Sequence, residues 1–333
     1  MSKINIIIPS IGIDNRLLRC LNGISTQSFK RFFVTIVLDE IRNKFLLKKY
    51  KFKINIIQSP KETMSKKRNL AAKKFNSHIL AFIDSDASPG KDWLKNAYNE
   101  LKKDNIQITG GPNLPFNYKN FWKKITHFCK RSYFVTAKYN FINYKSVNKF
   151  TDLLHSSNFL IIKKIYQSVN GMNEKIYIGE DHDLFFRLNE KFKNLKISFK
   201  KNIFVYHEDR ELKFFLFQRF CYGLNIFTSK NTLRKRLFAF IPFGVLIFLI
   251  ILIMRDINLF SNTLLIFFLL SAPIIFWDIN KYVKNYVEKV IVLIAIYLSN
   301  LFYGLGTIIY FFGLRKFIER KIYRSIKTKK IVS

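Results

Sequence analysis

Phe82-Ile83-Asp84-Ser85-Asp86 decides the fold: an apolar run beginning at Ile79 ends in two acids separated by a single residue. Five consecutive apolar residues bounded by polar ones read as a buried strand. Two carboxylates held this close repel each other unless a cation or hydrogen-bond donors sit between them. A hard divalent ion that also ligates a diphosphate suits that position. An acid–spacer–acid pair also occurs in ordinary turns, so its weight depends on its surroundings.

The neighbouring stretches repeat the same grammar. Upstream, Ile4–Ile8 forms an apolar run ending at Pro9-Ser10, Phe32–Leu38 ends at Asp39, and Ile54–Gln58 is a third run. Between them, Asn15–Ser25 carries Leu17, Leu18, Leu21 and Ile24 at helical spacing, and 66–75 is helical. Downstream, Ser88-Pro89 is a favourable N-cap and first-turn pair, which predicts a helix from there through Leu101. Short apolar runs alternating with amphipathic stretches predict an α/β domain with a mostly parallel sheet covered by helices. In such sheets ligands bind at the carboxyl ends of the strands, where Pro9, Asp39, Asp84 and Asp86 stand.

Taken in order, these residues resemble the family-2 glycosyltransferases, whose fold is GT-A, a Rossmann-like nucleotide-diphospho-sugar transferase domain. The resemblance covers roughly 4–207. It includes Ile6-Ile7-Ile8-Pro9-Ser10, Val37-Leu38-Asp39-Glu40, Lys67-Arg68-Asn69-Leu70-Ala71 and the Asp84-Ser85-Asp86 pair. It continues through Asn170-Gly171-Met172-Asn173-Glu174, the box Gly179-Glu180-Asp181-His182-Asp183-Leu184, and Val205-Tyr206-His207. What the resemblance implies can be stated residue by residue. Pro9, Asp39, Arg68 and Asp84 bind the donor, with Asp39 accepting a hydrogen bond from the nucleotide base. Asp86 and His207 ligate a divalent metal, Mn2+ or Mg2+. Asp181 is the catalytic base that deprotonates the acceptor hydroxyl, and Glu180 supports it. Trp93 packs beneath the site, and His155-Ser156-Ser157-Asn158 lies on the acceptor side. His155, His182, His127 and His78 gain no site role from this reading. A single base without a nucleophile implies inversion at the anomeric carbon.

The composition changes after about residue 230. Leu237–Met254, Leu259–Trp277 and Val290–Phe312 are apolar runs of roughly the 20 residues that span a bilayer. The predicted organisation is a catalytic domain over 1–230, with its donor half over about 1–110 and its acceptor half over about 111–230. A hydrophobic membrane region with a basic tail follows over 231–333. The tail carries eight Lys and Arg between Arg315 and Lys330 against Glu319 alone. Basic segments near a span stay on the cytoplasmic side, so an even number of crossings is expected. On this reading 237–254, with Pro242 and Gly244, lies in the interface or re-enters without crossing, and the other two runs form a hairpin.

The formal net charge of +35, from 57 Lys and Arg against 22 Asp and Glu, is spread along the chain without a nucleic-acid-binding module. Anionic headgroups and phosphate-bearing substrates account for it, and no nucleic-acid partner is expected. Cys20, Cys129 and Cys221 are too far apart to form a metal site or a disulfide framework. The expected protein is a bacterial inner-membrane transferase with its catalytic domain in the cytoplasm. It moves a sugar from a nucleotide-sugar donor to a lipid-linked or polysaccharide acceptor. The alternative is a catalytically inactive scaffold of the same fold, which would not need Asp84, Asp86, Asp181 and His207 together.

Overall fold

The computed structural model describes residues 3–116, 120–137, 148–176, 178–225, 233–315 and 317–318, with side chains left out over 233–240. The chain divides into two compact units, one of Met1–Phe116 with Phe141–Glu208, the other of Asn117–Asn140 with Asp209–Ser333.

In the first unit, β1 (Ile4–Pro9), β2 (Phe32–Leu38), β3 (Ile54–Gln58) and β4 (Ile79–Ile83) are parallel, with β1 between β2 and β4. β1, β2 and β4 are buried along their whole length, as continuous apolar runs in a covered parallel sheet must be. Helix α1 (Asn15–Ser25) connects β1 to β2, α2 (Met64–Lys74) connects β3 to β4, and α3 (Trp93–Leu101) follows β4. Asp14 caps α1 by accepting from Leu17 N, and Thr63 caps α2 by accepting from Lys66 N.

The sheet then becomes mixed. β9 (Asn158–Ile162) runs antiparallel to β4 and to β6 (Ile106–Gly110), and β6 is parallel to β10 (Lys196–Phe199). The short strand β8 (Lys149–Thr151) closes the edge, giving the order β3-β2-β1-β4-β9-β6-β10-β8. This order has a functional consequence. The carboxyl ends of β1, β2, β4 and β6 share one edge of the sheet, and because β9 is antiparallel, its amino end joins them, with Ile83 opposite Asn158.

A second, three-stranded sheet stands over that edge: β5 (Ala87–Pro89), β11 (Val205–His207) and β7 (Asn113–Pro115). Here the expectation of a helix starting at Ser88-Pro89 is corrected. Those residues are extended and pair with β11, His207 lying opposite Ala87, and α3 begins four residues later at Trp93. The local capping signal loses to a ladder with a strand more than 100 positions away. Helices α6 (Lys163–Ser168) and α7 (Glu180–Lys191) complete this unit.

The second unit contains α4 (Phe121–Arg131), α5 (Tyr133–Thr136), α8 (Leu212–Leu224), α9 (Leu233–Arg255), α10 (Ile257–Asn280) and α11 (Tyr286–Phe311). α10 and α11 are long and apolar enough to cross a membrane, and Ile241–Arg255 is a shorter apolar helix. Only 6% of the apolar window of α10 is buried, against 39% for α11, so α10 joins the core of this unit only near its C-terminal end. Ile125, Cys129 and Val135 pack with Phe215, Ile275, Ile279 and Val292 into one core. Glycines permit the closest helix contacts. A Cβ at Gly223 would lie 1.9 Å from the Tyr303 carbonyl oxygen, and one at Gly306 would lie 2.1 Å from that of Phe220. Most of the basic tail lies outside the described residues.

Candidate active site

The parallel register sets the first half of the site. Pro9 lies opposite Val37, so Ser10 and Asp39 leave adjacent strands side by side. The Lys67 ammonium, fully buried on α2, donates to the Ser10 carbonyl at 2.6 Å and pairs with Asp39 Oδ1 at 2.9 Å. Asp39 Oδ1 also accepts from Lys61 N at 3.0 Å. A buried ammonium is costly unless it is paired and hydrogen-bonded, and these partners meet that condition while fixing the Asp39 carboxylate. Lys67 had no role in the sequence reading; its signal was its place beside Arg68.

Arg68 follows and is only 2% exposed. Its Nη2 donates to Asp84 Oδ1 at 2.6 Å and its Nη1 to Glu180 Oε1 at 2.9 Å. One guanidinium therefore joins the acidic pair after β4 to the start of α7. Burial works to lower the Arg68 pKa, but the charges and hydrogen bonds of Asp84 and Glu180 outweigh it and push it up. Asn69 holds the other side of the same junction. Its Nδ2 donates to the Met172 carbonyl and to Glu174 Oε1, and its Oδ1 accepts from Met172 N and the Tyr166 hydroxyl. Gly171 has φ of 68°, and a Cβ there would meet Asn69 Oδ1 at 2.4 Å, so this turn needs glycine twice over.

At α7 the chain turns through Gly179, with φ of 89°, into a first turn carrying Glu180, Asp181 and Asp183. The helix N-terminus favours this negative charge. Burial raises the Glu180 pKa, and Arg68 offsets only part of the rise while Asp181 adds to it. Asp181 goes the other way. Burial again acts to raise it, but the His155 hydrogen bond and the charges of His182 and His155 prevail and hold it below the usual carboxylate range. Asp181 Oδ2 lies 3.5 Å from His155 Nδ1 and accepts from Ser156 N at 3.4 Å. His155, given no site role from sequence, therefore stands against the candidate base. Only the antiparallel placement of β9 brings it there.

Asp84, Asp86 and His207 form the third cluster, each offering one ligand atom, all within 4.8 Å of one another. His207 Nε2 lies 3.4 Å from Asp86 Oδ1. Two carboxylate oxygens and an imidazole nitrogen suit a divalent cation such as Mn2+ or Mg2+. Glu208, the next residue, turns away to Arg19, 2.5 Å distant. Beneath the site, buried Trp93 donates to Asn158 Oδ1 at 2.8 Å. The Asn158 amide in turn donates to the carbonyls of Gly111, Pro112 and Ile203, tying β9 to the sheet above.

Comparison with known proteins bears on the family and the fold. The chain is 26% identical over 126 residues to the glycosyltransferase AglE of Haloferax volcanii, a match covering 35% of this chain and 41% of AglE. It is 31% identical over 105 residues to the poly(ribitol-phosphate) beta-N-acetylglucosaminyltransferase TarS of Staphylococcus aureus, covering 29% of this chain and 18% of TarS. The chain thus matches well under half the length of either curated relative. The fold is like that of the mannosyltransferase PcManGT from Pyrobaculum calidifontis, solved in complex with GDP-Man and Mn2+. There the TM-score is 0.59 at 11% identity, over 90% of this chain and 87% of that one. With the GT-A architecture in place and the sequence model described as glycosyl transferase family group 2 matching residues 79–303, the chain belongs to that family of glycosyltransferases.

Proposed function

We propose that this glycosyltransferase is a metal-dependent, inverting enzyme. It moves a sugar from a nucleotide-sugar donor to a lipid-linked or surface-polysaccharide acceptor at the cytoplasmic face of a bacterial membrane. The observation that carries the proposal is the meeting, at one sheet edge, of the Asp84–Asp86–His207 cluster and the Arg68–Glu180–Asp181 group. Asp86 and His207, with Asp84, would hold the cation. When bound, the cation offsets charge that builds on the diphosphate leaving group.

The remaining steps belong to the chain's own residues. Asp39, immobilised by Lys67, accepts a hydrogen bond from the nucleotide base beside Pro9. Arg68 keeps Asp84 and Glu180 at fixed separation, so that the donor and acceptor ends of the site stay in register. Asp181, kept ionised by His155 and His182, takes the proton from the acceptor hydroxyl as its oxygen bonds to the anomeric carbon. The bond from that carbon to the diphosphate oxygen breaks on the opposite face, which inverts the configuration. α10 and α11 anchor the protein in the bilayer, where a lipid-linked acceptor is at hand.

The test is transfer to a panel of lipid-phosphate and polysaccharide acceptors by purified full-length protein, with and without divalent metal. Asp86→Ala is expected to lower turnover by about three orders of magnitude. The melting transition should stay within a few degrees, because Asp86 is a partly exposed loop residue. Full activity in excess chelator, or in the Asp86→Ala variant, refutes metal dependence.

A further inference from the structure

The turn between α10 and α11 carries a groove that the transferase chemistry does not use. The groove has a volume of about 670 Å3. Its floor is apolar, formed by Phe268, Leu269, Pro273 and Leu293, and its mouth is lined by Trp277, Asn280 and Tyr286. Trp277 and Tyr286 are 68% and 70% exposed. Lysines surround this mouth. Lys281 lies over the Trp277 ring at 3.5 Å, Lys289 donates to Asn280 Oδ1 at 2.5 Å, and Lys284 is exposed in the turn. Of the acids nearby, Glu288 pairs with Lys124 at 2.5 Å, and Asp278 is buried, its Oδ2 accepting from the Ser132 hydroxyl and from Tyr133 N. Asp278 Oδ1 lies 3.7 Å from Lys281 Nζ, a longer ion pair that leaves this exposed ammonium open to a further anion.

An apolar trough that opens between lysines and interfacial aromatics has the polarity profile of a lipid: chain below, anionic head above. We propose that this groove binds one anionic phospholipid of the bilayer, its acyl chain along Phe268–Pro273 and its phosphate between Lys281 and Lys289. The inference goes beyond the transfer reaction and rests on α10 and α11 lying in a membrane. Charge complementarity at the mouth separates it from a merely greasy helix face, which takes any lipid.

The experiment measures Trp277 fluorescence in full-length protein carrying Trp122→Phe, which removes the other exposed tryptophan, reconstituted in vesicles with brominated phosphatidylglycerol or brominated phosphatidylcholine as quencher. Buried Trp93 serves as the internal control. About fivefold preferential quenching by the anionic lipid is expected, near the effect of one lysine at an anionic surface. The preference should disappear in the double variant Lys281→Gln/Lys289→Gln and return in Lys281→Arg/Lys289→Arg. Equal quenching by both lipids, or a preference that survives the double Gln variant, overturns the site while leaving the membrane anchor intact. Loss of the preference on adding inorganic phosphate assigns the lysines to a soluble anion and also overturns it. Quenching by neither lipid overturns it too. Sedimentation with vesicles after carbonate washing then separates a failed membrane reading from a second copy covering the face.

Discussion

His155 shows how much of the proposed chemistry depends on a contact of one side chain. It faces Asp181 from the loop before β9, and with His182 it keeps that carboxyl ionised despite burial. Removing the ring removes influences that lower the Asp181 pKa, so His155→Ala should move the acid limb of the kcat profile to higher pH. Turnover at neutral pH should fall by about tenfold, the order of one hydrogen bond to a charged group. An unmoved acid limb contradicts the coupling. Asp181→Asn keeps shape and hydrogen bonding but cannot accept a proton. Turnover should drop by about two to four orders of magnitude while donor binding, followed by calorimetry, is retained. Equal loss of both would place Asp181 with the donor rather than with the acceptor hydroxyl.

At the scale of elements, α4 is tied to the segment leading into α8 by a buried charge cluster. Asp209, 5% exposed, meets Lys130 Nζ at 2.6 Å and His127 Nδ1 at 3.1 Å. Burial would raise the Asp209 pKa, but Lys130 and His127 overcome it and depress it strongly. A depressed folded pKa stabilises the fold above the unfolded carboxylate value of about 3.9, and that stability is lost as the pH falls towards the folded value. The wild-type melting temperature should therefore be flat at neutral pH and decline in acid. Asp209→Ala removes the carboxylate that Lys130 and His127 share and should cost about 1.5–3 kcal/mol, the order of a hydrogen bond to a charged group, read by thermal unfolding in detergent at pH 7. A loss below about 1 kcal/mol would mean that the cluster is solvated and incidental.

For the whole molecule, the decisive constraint is sidedness. Within the helical unit, α4 meets the α10–α11 turn through Lys124–Glu288 and Phe128–Tyr282. α4 is too short to span a bilayer and carries Lys123, Lys124, Lys130 and Arg131, and basic segments near a span stay on the cytoplasmic side. The turn is then expected on the cytoplasmic side with α4, and the α9–α10 junction opposite. In intact cells a cysteine replacing Lys284 should resist a membrane-impermeant thiol reagent, and one replacing Asn258 should react. The reverse pattern would refute this topology. The basic run from Arg315 to Lys330 calls for protection of a cysteine at Ser333 as well. That outcome requires α11 to lie along the interface in place of the α10–α11 hairpin expected from the sequence, with α10 as a crossing helix, whereas labelling at Ser333 means that α11 crosses.

Periodicity and composition alone determined the strands from β1 to β4, the acids at their ends and the apolar C-terminal region. Each depends on residues close together in the chain: a buried parallel strand must be continuously apolar, and a bilayer helix must be long and uncharged. The order of the family motifs also singled out Asp39, Arg68, Asp84, Asp86, Glu180, Asp181 and His207 as candidates. Tertiary structure decided what those residues touch. Ser88-Pro89 has the local signature of a helix start, yet pairing with β11 extends it and sets His207 beside Asp86. Lys67 reads as one of many lysines until its burial against Asp39 is seen, and His155 gains its partner only through an antiparallel strand order. Within 113–150, α4 has the spacing of an amphipathic helix that the sequence reading left unassigned, but its partners on α10 and α11, more than 140 positions away, are a matter of tertiary structure. Local sequence fixes backbone preference and polarity, but a hydrogen bond or ion pair between distant residues exists only once the chain has closed the loop between them.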